Sequence, residues 1–258
     1  MSRVRVHRVA ILRSFADFLD DIGAPWESGF RRAGLPIMAL EDVRNYVPSS
    51  RFLSFVTEMA CREGIGQLGY HVGRWKGANS LEPRLAEELG RAPTLLQGIL
   101  KFCEFANKIV TGSRIELFQP STDRRAFFCH RPSCSDTHPA IAQIGWFGLT
   151  TMMGVVREFA GPGWQPSEIG LISDVVPERM IRDEYPNTRF RLAQGHSYLA
   201  IETEMLCLPP LGLKRSAAAS LSRTHDLYAG DFAGSLKRLL RSYILDYRLT
   251  MEFAAELC

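Results

Sequence analysis

The stretch Arg114-Ile115-Glu116-Leu117-Phe118-Gln119-Pro120-Ser121-Thr122-Asp123-Arg124-Arg125-Ala126-Phe127-Phe128-Cys129-His130 settles the fold class. From Arg114 to Gln119 polar and apolar residues alternate around Ile115, Leu117 and Phe118. Arg125 to His130 is strand-like as well, with Phe127 and Phe128. Successive side chains of a strand point to opposite faces, so this alternation marks a sheet with one face buried. Pro120-Ser121-Thr122-Asp123 lies between the two runs and carries turn chemistry. The segment therefore predicts a β-hairpin.

Upstream of the hairpin the periodicity is helical. Ala10, Ile11, Phe15, Phe18, Leu19 and Ile22 predict a helix over 9–22 that stops at Gly23. A short helix is expected around 27–33, before Gly34-Leu35-Pro36. Phe52, Leu53, Phe55, Val56, Met59 and Ala60 predict another that ends near Gly64. Leu81 to Leu89 reads as a helix with Pro83 in its first turn, where a missing N–H costs nothing. Pro93-Thr94 opens a helix whose inner face carries Leu95, Leu96, Ile99, Leu100, Phe102, Cys103, Ala106 and Ile109.

Downstream, a long helix is predicted over 141–159, broken by Gly161-Pro162-Gly163. Short strands are predicted over 168–173 and 197–202. Leu208-Pro209-Pro210-Leu211-Gly212 closes this region, and the small, polar run 216–222 reads as a linker. Phe232, Leu236, Leu239, Leu240, Tyr243 and Ile244 then form an amphipathic helix with Lys237, Arg238 and Arg241 on its other face. Thr250 is a good N-cap for a last helix from Met251 through Leu257. The sequence stops at Cys258 in mid-helix, so an incomplete domain is expected there. The fold class that results is α+β: a helical N-terminal half, then an antiparallel sheet packed with helices, then a linker and an unfinished helical piece. The expected boundaries are 1–213, 214–231 and 232–258.

The 258 residues are 46% hydrophobic and 23% charged, which fits a globular chain with a sizeable core and excludes a disordered one. A net charge of +3 is too small to assign a nucleic-acid partner by itself. Met1-Ser2-Arg3-Val4-Arg5 has no apolar run of signal-peptide length, and no stretch reaches the roughly 20 apolar residues of a membrane span. A cytoplasmic protein is expected, with no membrane contact. Its six cysteines, scattered over the chain, are then free thiols acting as small hydrophobes.

Leu249-Thr250-Met251-Glu252-Phe253-Ala254-Ala255-Glu256-Leu257-Cys258 resembles the first helix-turn-helix of AraC-type transcription regulators, with 232–244 matching the basic helix that precedes it. The upstream region is similar to the sensing domain of the ornithine-regulator and VirS-type branch. Its marks are Ala33-Gly34-Leu35-Pro36, Tyr46-Val47-Pro48, Gly64-Ile65 with Leu68-Gly69, Ala92-Pro93-Thr94-Leu95, Trp164-Gln165-Pro166, and 206–211. They run in order over nearly the whole chain.

The resemblance implies an effector-sensing and dimerisation portion: 1–213 senses a small effector of unidentified chemistry and forms a homodimer, and 232–258 starts the DNA-binding domain. DNA is reached only through the helix-turn-helix of a full-length form, because the reading helix is absent from this sequence. Two other functions fit the residues. One is a truncated regulator that inhibits a full-length relative as a non-DNA-binding heterodimer partner. The other is a small-molecule enzyme on the same fold.

Candidate site residues divide along the same lines. Phe102, Phe105, Trp146, Phe147 and Phe159 are apolar groups of the kind that line an effector pocket, the first four being the ligand-binding candidates; helical spacing places the same residues equally well in the core. Lys237, Arg238, Arg241 and Arg248 are candidate contacts to the DNA backbone, or a solvated helix face. Gly64-Ile65-Gly66-Gln67-Leu68-Gly69 spells GxGxxG but follows a predicted helix, where a dinucleotide site needs a strand; a glycine-rich helix stop is expected. Cys129, His130, Cys134 and His138 have ligand chemistry, yet adjacent strand residues face opposite ways, so no metal is expected. HExxH, GxSxG, Walker A and CxxC patterns are absent from the sequence, and no catalytic residue or cofactor is assigned.

Overall fold

The computed structural model describes residues 4–76, 83–211, 232–244 and 246–257. The linker expected over 214–231 and the final residue Cys258 lie outside them. The chain forms two compact units, residues 1–68, 108–112 and 225–258 in one, residues 69–107 and 113–224 in the other.

In the first unit, strand β1 (Val6–Arg8) leads into α1 (Val9–Asp21) and α2 (Trp26–Ala33). A 3-10 turn (Ile37–Glu41), β2 (Tyr46–Pro48) and α3 (Ser49–Arg62) follow. β1 and β2 pair antiparallel, Val6 opposite Pro48 and Arg8 opposite Tyr46. Three residues are too few to show alternation, which is why neither strand is visible in the sequence. The helices pack aromatic edge to face: Phe30 on Phe55 at 4.8 Å and Phe15 on Phe52 at 5.6 Å. Each fully buried phenylalanine contributes about 1.5–3 kcal/mol by leaving water. α2 ends on Gly34 with φ 66°, the left-handed cap that glycine adopts without a Cβ clash.

The same unit contains α9 (Phe232–Arg241) and α10 (Met251–Glu256). The Phe253 N–H donates to the Thr250 hydroxyl at 3.2 Å, so the expected N-cap is formed. Leu239, Tyr243 and Leu257 bury themselves with Val4, Val6 and Tyr46 in a small core.

The second unit holds α4 (Leu68–Lys76) from Gly69 on, α5 (Pro83–Gly90), α6 (Leu95–Ile109) up to Asn107, α7 (Ile141–Ala160), α8 (Arg179–Glu184) and a five-stranded sheet. The strands are β3 (Arg114–Phe118), β4 (Arg125–Arg131), β5 (Glu168–Gly170), β6 (Arg189–Arg191) and β7 (Ser197–Glu202), in the order β3-β4-β7-β5-β6. The hairpin is present, Ile115 opposite His130 and Phe118 opposite Phe127. All pairs are antiparallel except β5 with β6, which makes the sheet mixed. β5 stops at Gly170, three residues short of the expected strand, and the Leu171 N–H completes its pairing by donating to the Arg191 carbonyl of β6.

α7 is buried along most of its length. Its Trp146, Leu149, Met152, Val155, Val156 and Phe159 pack with Leu95, Ile99 and Phe102 of α6, Phe128 of β4, and Leu199 and Ile201 of β7. The GxGxxG stretch follows α3, as its context requires. Gly64 turns the chain at φ 65°, and Gly69 lies against α7, where a Cβ would overlap the Gln143 carbonyl oxygen.

Candidate functional site

The sheet of the second unit has two chemically different faces. Leu199 and Ile201 of β7 belong to the core beneath α7. The period of two puts Tyr198, Ala200 and Glu202 on the other face, level with Cys129, Phe127 and Arg125 of β4. That second face carries a charged network. Glu168 of β5 is 6% exposed and accepts from the Tyr198 hydroxyl at 2.7 Å and from Arg191 Nε at 3.3 Å. Arg125 reaches the same carboxylate at 3.8 Å while forking onto Asp123. Burial alone would raise the Glu168 pKa, but the Tyr198 hydrogen bond and the two arginines outweigh it and hold the carboxyl below its ordinary value. Burial and the carboxylate together push Tyr198 up to about 12, so it stays a donor.

This face continues into a groove of about 620 Å³, lined by Ala200 and Glu202 of β7, Met205, residues 163–167, and Pro186 with Asn187. Gly161-Pro162-Gly163 breaks α7 and turns the chain back across the strand ends, with φ 96° at Gly161. Each wall is tied down. Arg157 Nε donates to the Trp164 carbonyl at 3.1 Å, and the Gln165 amide donates to the Glu184 carbonyl at 2.9 Å. The Ser167 hydroxyl donates to Glu202 at 3.1 Å, and Thr188 to the Pro166 carbonyl at 2.7 Å. Trp164, Met205 and two prolines give the groove apolar surface, and Gln165, Asn187, Ser167 and Glu202 supply directional polar groups. Its volume and mixed lining suit one small organic molecule.

The aromatic candidates lie elsewhere. Phe102 is 4% exposed, edge to face with Phe128 at 5.8 Å, and Trp146 is 1% exposed, with Tyr70 at 5.3 Å and Phe190 at 6.5 Å. Phe159 is a core residue too. Phe105 is half-buried against the same core, and Phe147 is half-buried on α7. None of them lines the groove. Sequence reading missed the groove residues because they come from loops and strand ends without periodicity. The one available signal was Trp164-Gln165-Pro166, noted as a family mark and not as a lining.

Cys129 and His130 face opposite sides of β4. The Cys129 thiol donates to the Phe127 carbonyl, and burial lifts its pKa to about 12. His130 points under α7, its Nε2 3.1 Å from the Ser113 hydroxyl, and full burial lowers its pKa to about 4. His138 accepts from the Ala140 N–H. No group of three or more potential metal ligands exists among the described residues. Cys103 and Cys129 are buried, whereas Cys61 and Cys207 are exposed and not the small hydrophobes expected.

Of the cations proposed for DNA, Lys237, Arg241 and Arg248 are exposed. Arg238 lies half-buried with its guanidinium 6.0 Å above the Tyr46 ring.

Comparison with known proteins places this α+β chain in the class of transcription regulators. The family described as the arabinose-binding domain of AraC transcription regulator, N-term, matches residues 23–209, and the chain belongs to it. What the chain carries is thus the effector-sensing portion of an AraC-type regulator. The groove lies inside the matched span. No curated protein matches the sequence. Among solved structures, the transcriptional regulator CdpR from Pseudomonas aeruginosa is similar with a TM-score of 0.46 and 11% identity, over 96% of this chain and 74% of that one. That likeness is too distant to bear on function.

Proposed function

We propose that the chain senses its effector in the Trp164–Glu202 groove and forms a homodimer, and that it acts on DNA through a helix-turn-helix that begins at α9 and α10. It works by binding and has no catalytic step, in the cytoplasm. The groove carries this reading: it is a small-molecule-sized concavity with tethered walls inside the family's sensing domain. An effector switches a regulator only if it binds one arrangement more tightly than another. Lys237, Arg241 and Arg248 remain proposed phosphate contacts, since a phosphate contact requires a cation free to face the duplex.

The test begins with a small-molecule screen by thermal shift and titrates each binder against Trp164→Ala, Asn187→Ala and Phe105→Ala. Loss of binding in the first two variants alone supports the groove. Loss in Phe105→Ala alone moves the effector to the aromatic residues of α6 and α7, the alternative site. Equilibrium sedimentation at micromolar concentration tests the dimer, and a monomer throughout would refute that part.

A further inference from the structure

Two of the sequence marks, Ala33-Gly34-Leu35-Pro36 and Tyr46-Val47-Pro48, take no part in the groove. Within the first unit both touch residues of the segment 232–257 or the side chain that holds it. The Arg51 guanidinium of α3 donates to the Gly34 carbonyl at 2.5 Å. It also sits 5.5 Å from the Tyr243 ring centroid and 5.4 Å from that of Phe253. Tyr243 is fully buried, and Tyr247 stacks on Phe253 at 5.2 Å. The glycine is what makes room: a Cβ at Gly34 would overlap the guanidinium. At the second mark, the Ser242 hydroxyl donates to the Tyr46 carbonyl at 2.5 Å, a buried bond. Arg238 covers the Tyr46 ring, and the Met38 N–H donates to Asp246 at 3.1 Å.

We infer that Gly34, Tyr46 and Arg51 form a docking surface for this chain's own segment 232–257, with Arg51 as the positioning residue that clamps Tyr243 and Phe253. The segment is a built-in part of the N-terminal unit, not a freely tethered module. A planar guanidinium held at once by a backbone carbonyl and two aromatic rings restricts where the helices it grips can sit. The consequence for DNA rests on the reading above: the elements that enter the DNA-binding domain take their orientation from α2, β2 and α3. The docking itself rests only on this packing.

Hydrogen exchange measured by mass spectrometry on the 258-residue chain tests it. Peptides within 236–257 are expected to be protected in the wild type. Arg51→Ala is expected to speed their exchange roughly three- to thirtyfold, the range of a desolvated cation–π contact. Ser242→Ala, which leaves the guanidinium alone, is expected to speed the same peptides, with those of the sheet 114–202 unchanged in both variants. If Arg51→Ala fails to fold, Phe253→Leu asks the same question from the other side while keeping apolar volume. Unprotected 236–257 in the wild type, or exchange unmoved by every variant, overturns the docking. Promoter affinity of a form with a complete reader, measured with the same variants, tests the consequence. If exchange quickens but affinity is unmoved, the docking stands and the regulatory reading falls.

Discussion

Gly69→Ala is the sharpest test of the second unit. In a solvated helix that change stabilises by about 1 kcal/mol, because glycine loses more backbone freedom on folding. Here the opposite is expected. A Cβ at position 69 would overlap the Gln143 carbonyl oxygen of α7 and lie 2.7 Å from its carbon. The obstacle is main chain, so no rotamer change removes it, and α4 must move away from α7. That displacement also strains the buried bond from the Gly69 N–H to the Gln143 side-chain oxygen, 3.1 Å long. Overpacking of this kind costs roughly 1–3 kcal/mol, and a buried amide left short of a partner roughly 1–3 more. Set against the propensity gain, the net loss is about 1–5 kcal/mol. For a chain of this size that lowers Tm by roughly 2–20 °C. Urea unfolding followed by circular dichroism measures it, with Gly195→Ala as the control. Nothing lies within 4 Å of a Cβ at Gly195, so that variant is expected to stay within about 0.5 kcal/mol of wild type. A Gly69→Ala protein as stable as wild type would refute the close approach of α4 and α7.

Three further outcomes follow from the geometry. His130 has its folded pKa lowered to about 4 by burial, against an ordinary value near 6.5. Stability from it is complete above about pH 6.5 and is lost as pH falls toward 4, by roughly 3 kcal/mol in all, because only the unfolded chain takes up the proton in that window. Denaturant titrations at pH 7.5 and 4.5 measure the fall, and an unchanged slope in His130→Asn would refute the assignment. Tyr198→Phe removes the hydroxyl that donates to buried Glu168 and is expected to destabilise by about 1–3 kcal/mol. It should also raise the carboxyl's pKa, readable by NMR titration, and an unmoved pKa would sink the network. In a DNA-binding form, Arg241→Ala is expected to weaken binding alike on all sequences and to reduce the salt slope by about 0.9. An unchanged slope would remove Arg241 from the backbone contacts.

The hairpin at 114–131 and the helices α1, α3, α6 and α7 were legible in the sequence. A buried stripe or an alternating strand leaves its period in the chain, and Pro120-Ser121-Thr122-Asp123 or Gly161-Pro162-Gly163 marks where the period breaks. Strands β1, β2 and β6 were not: each is three residues long, and each depends on a partner distant in sequence. The parallel pairing of β6 with β5 is equally silent. Helical spacing found Phe102, Trp146 and Phe159 but left open whether they line a pocket, and the fold encloses all three in the core beside Phe128 and Tyr70.

By itself, then, the sequence determined what local preference can encode: the α+β class, where the helices lie, the N-cap at Thr250, and the ordered marks of an AraC-type sensor. Tertiary structure alone decided which distant groups meet. Glu168 finds Tyr198 and Arg191, Trp164 lines one groove with Asn187 and Glu202, and Arg51 finds Tyr243 and Phe253. The physical reason is that periodicity reports how a segment divides between core and solvent, whereas a site is made where burial brings together residues that share no neighbourhood in the chain.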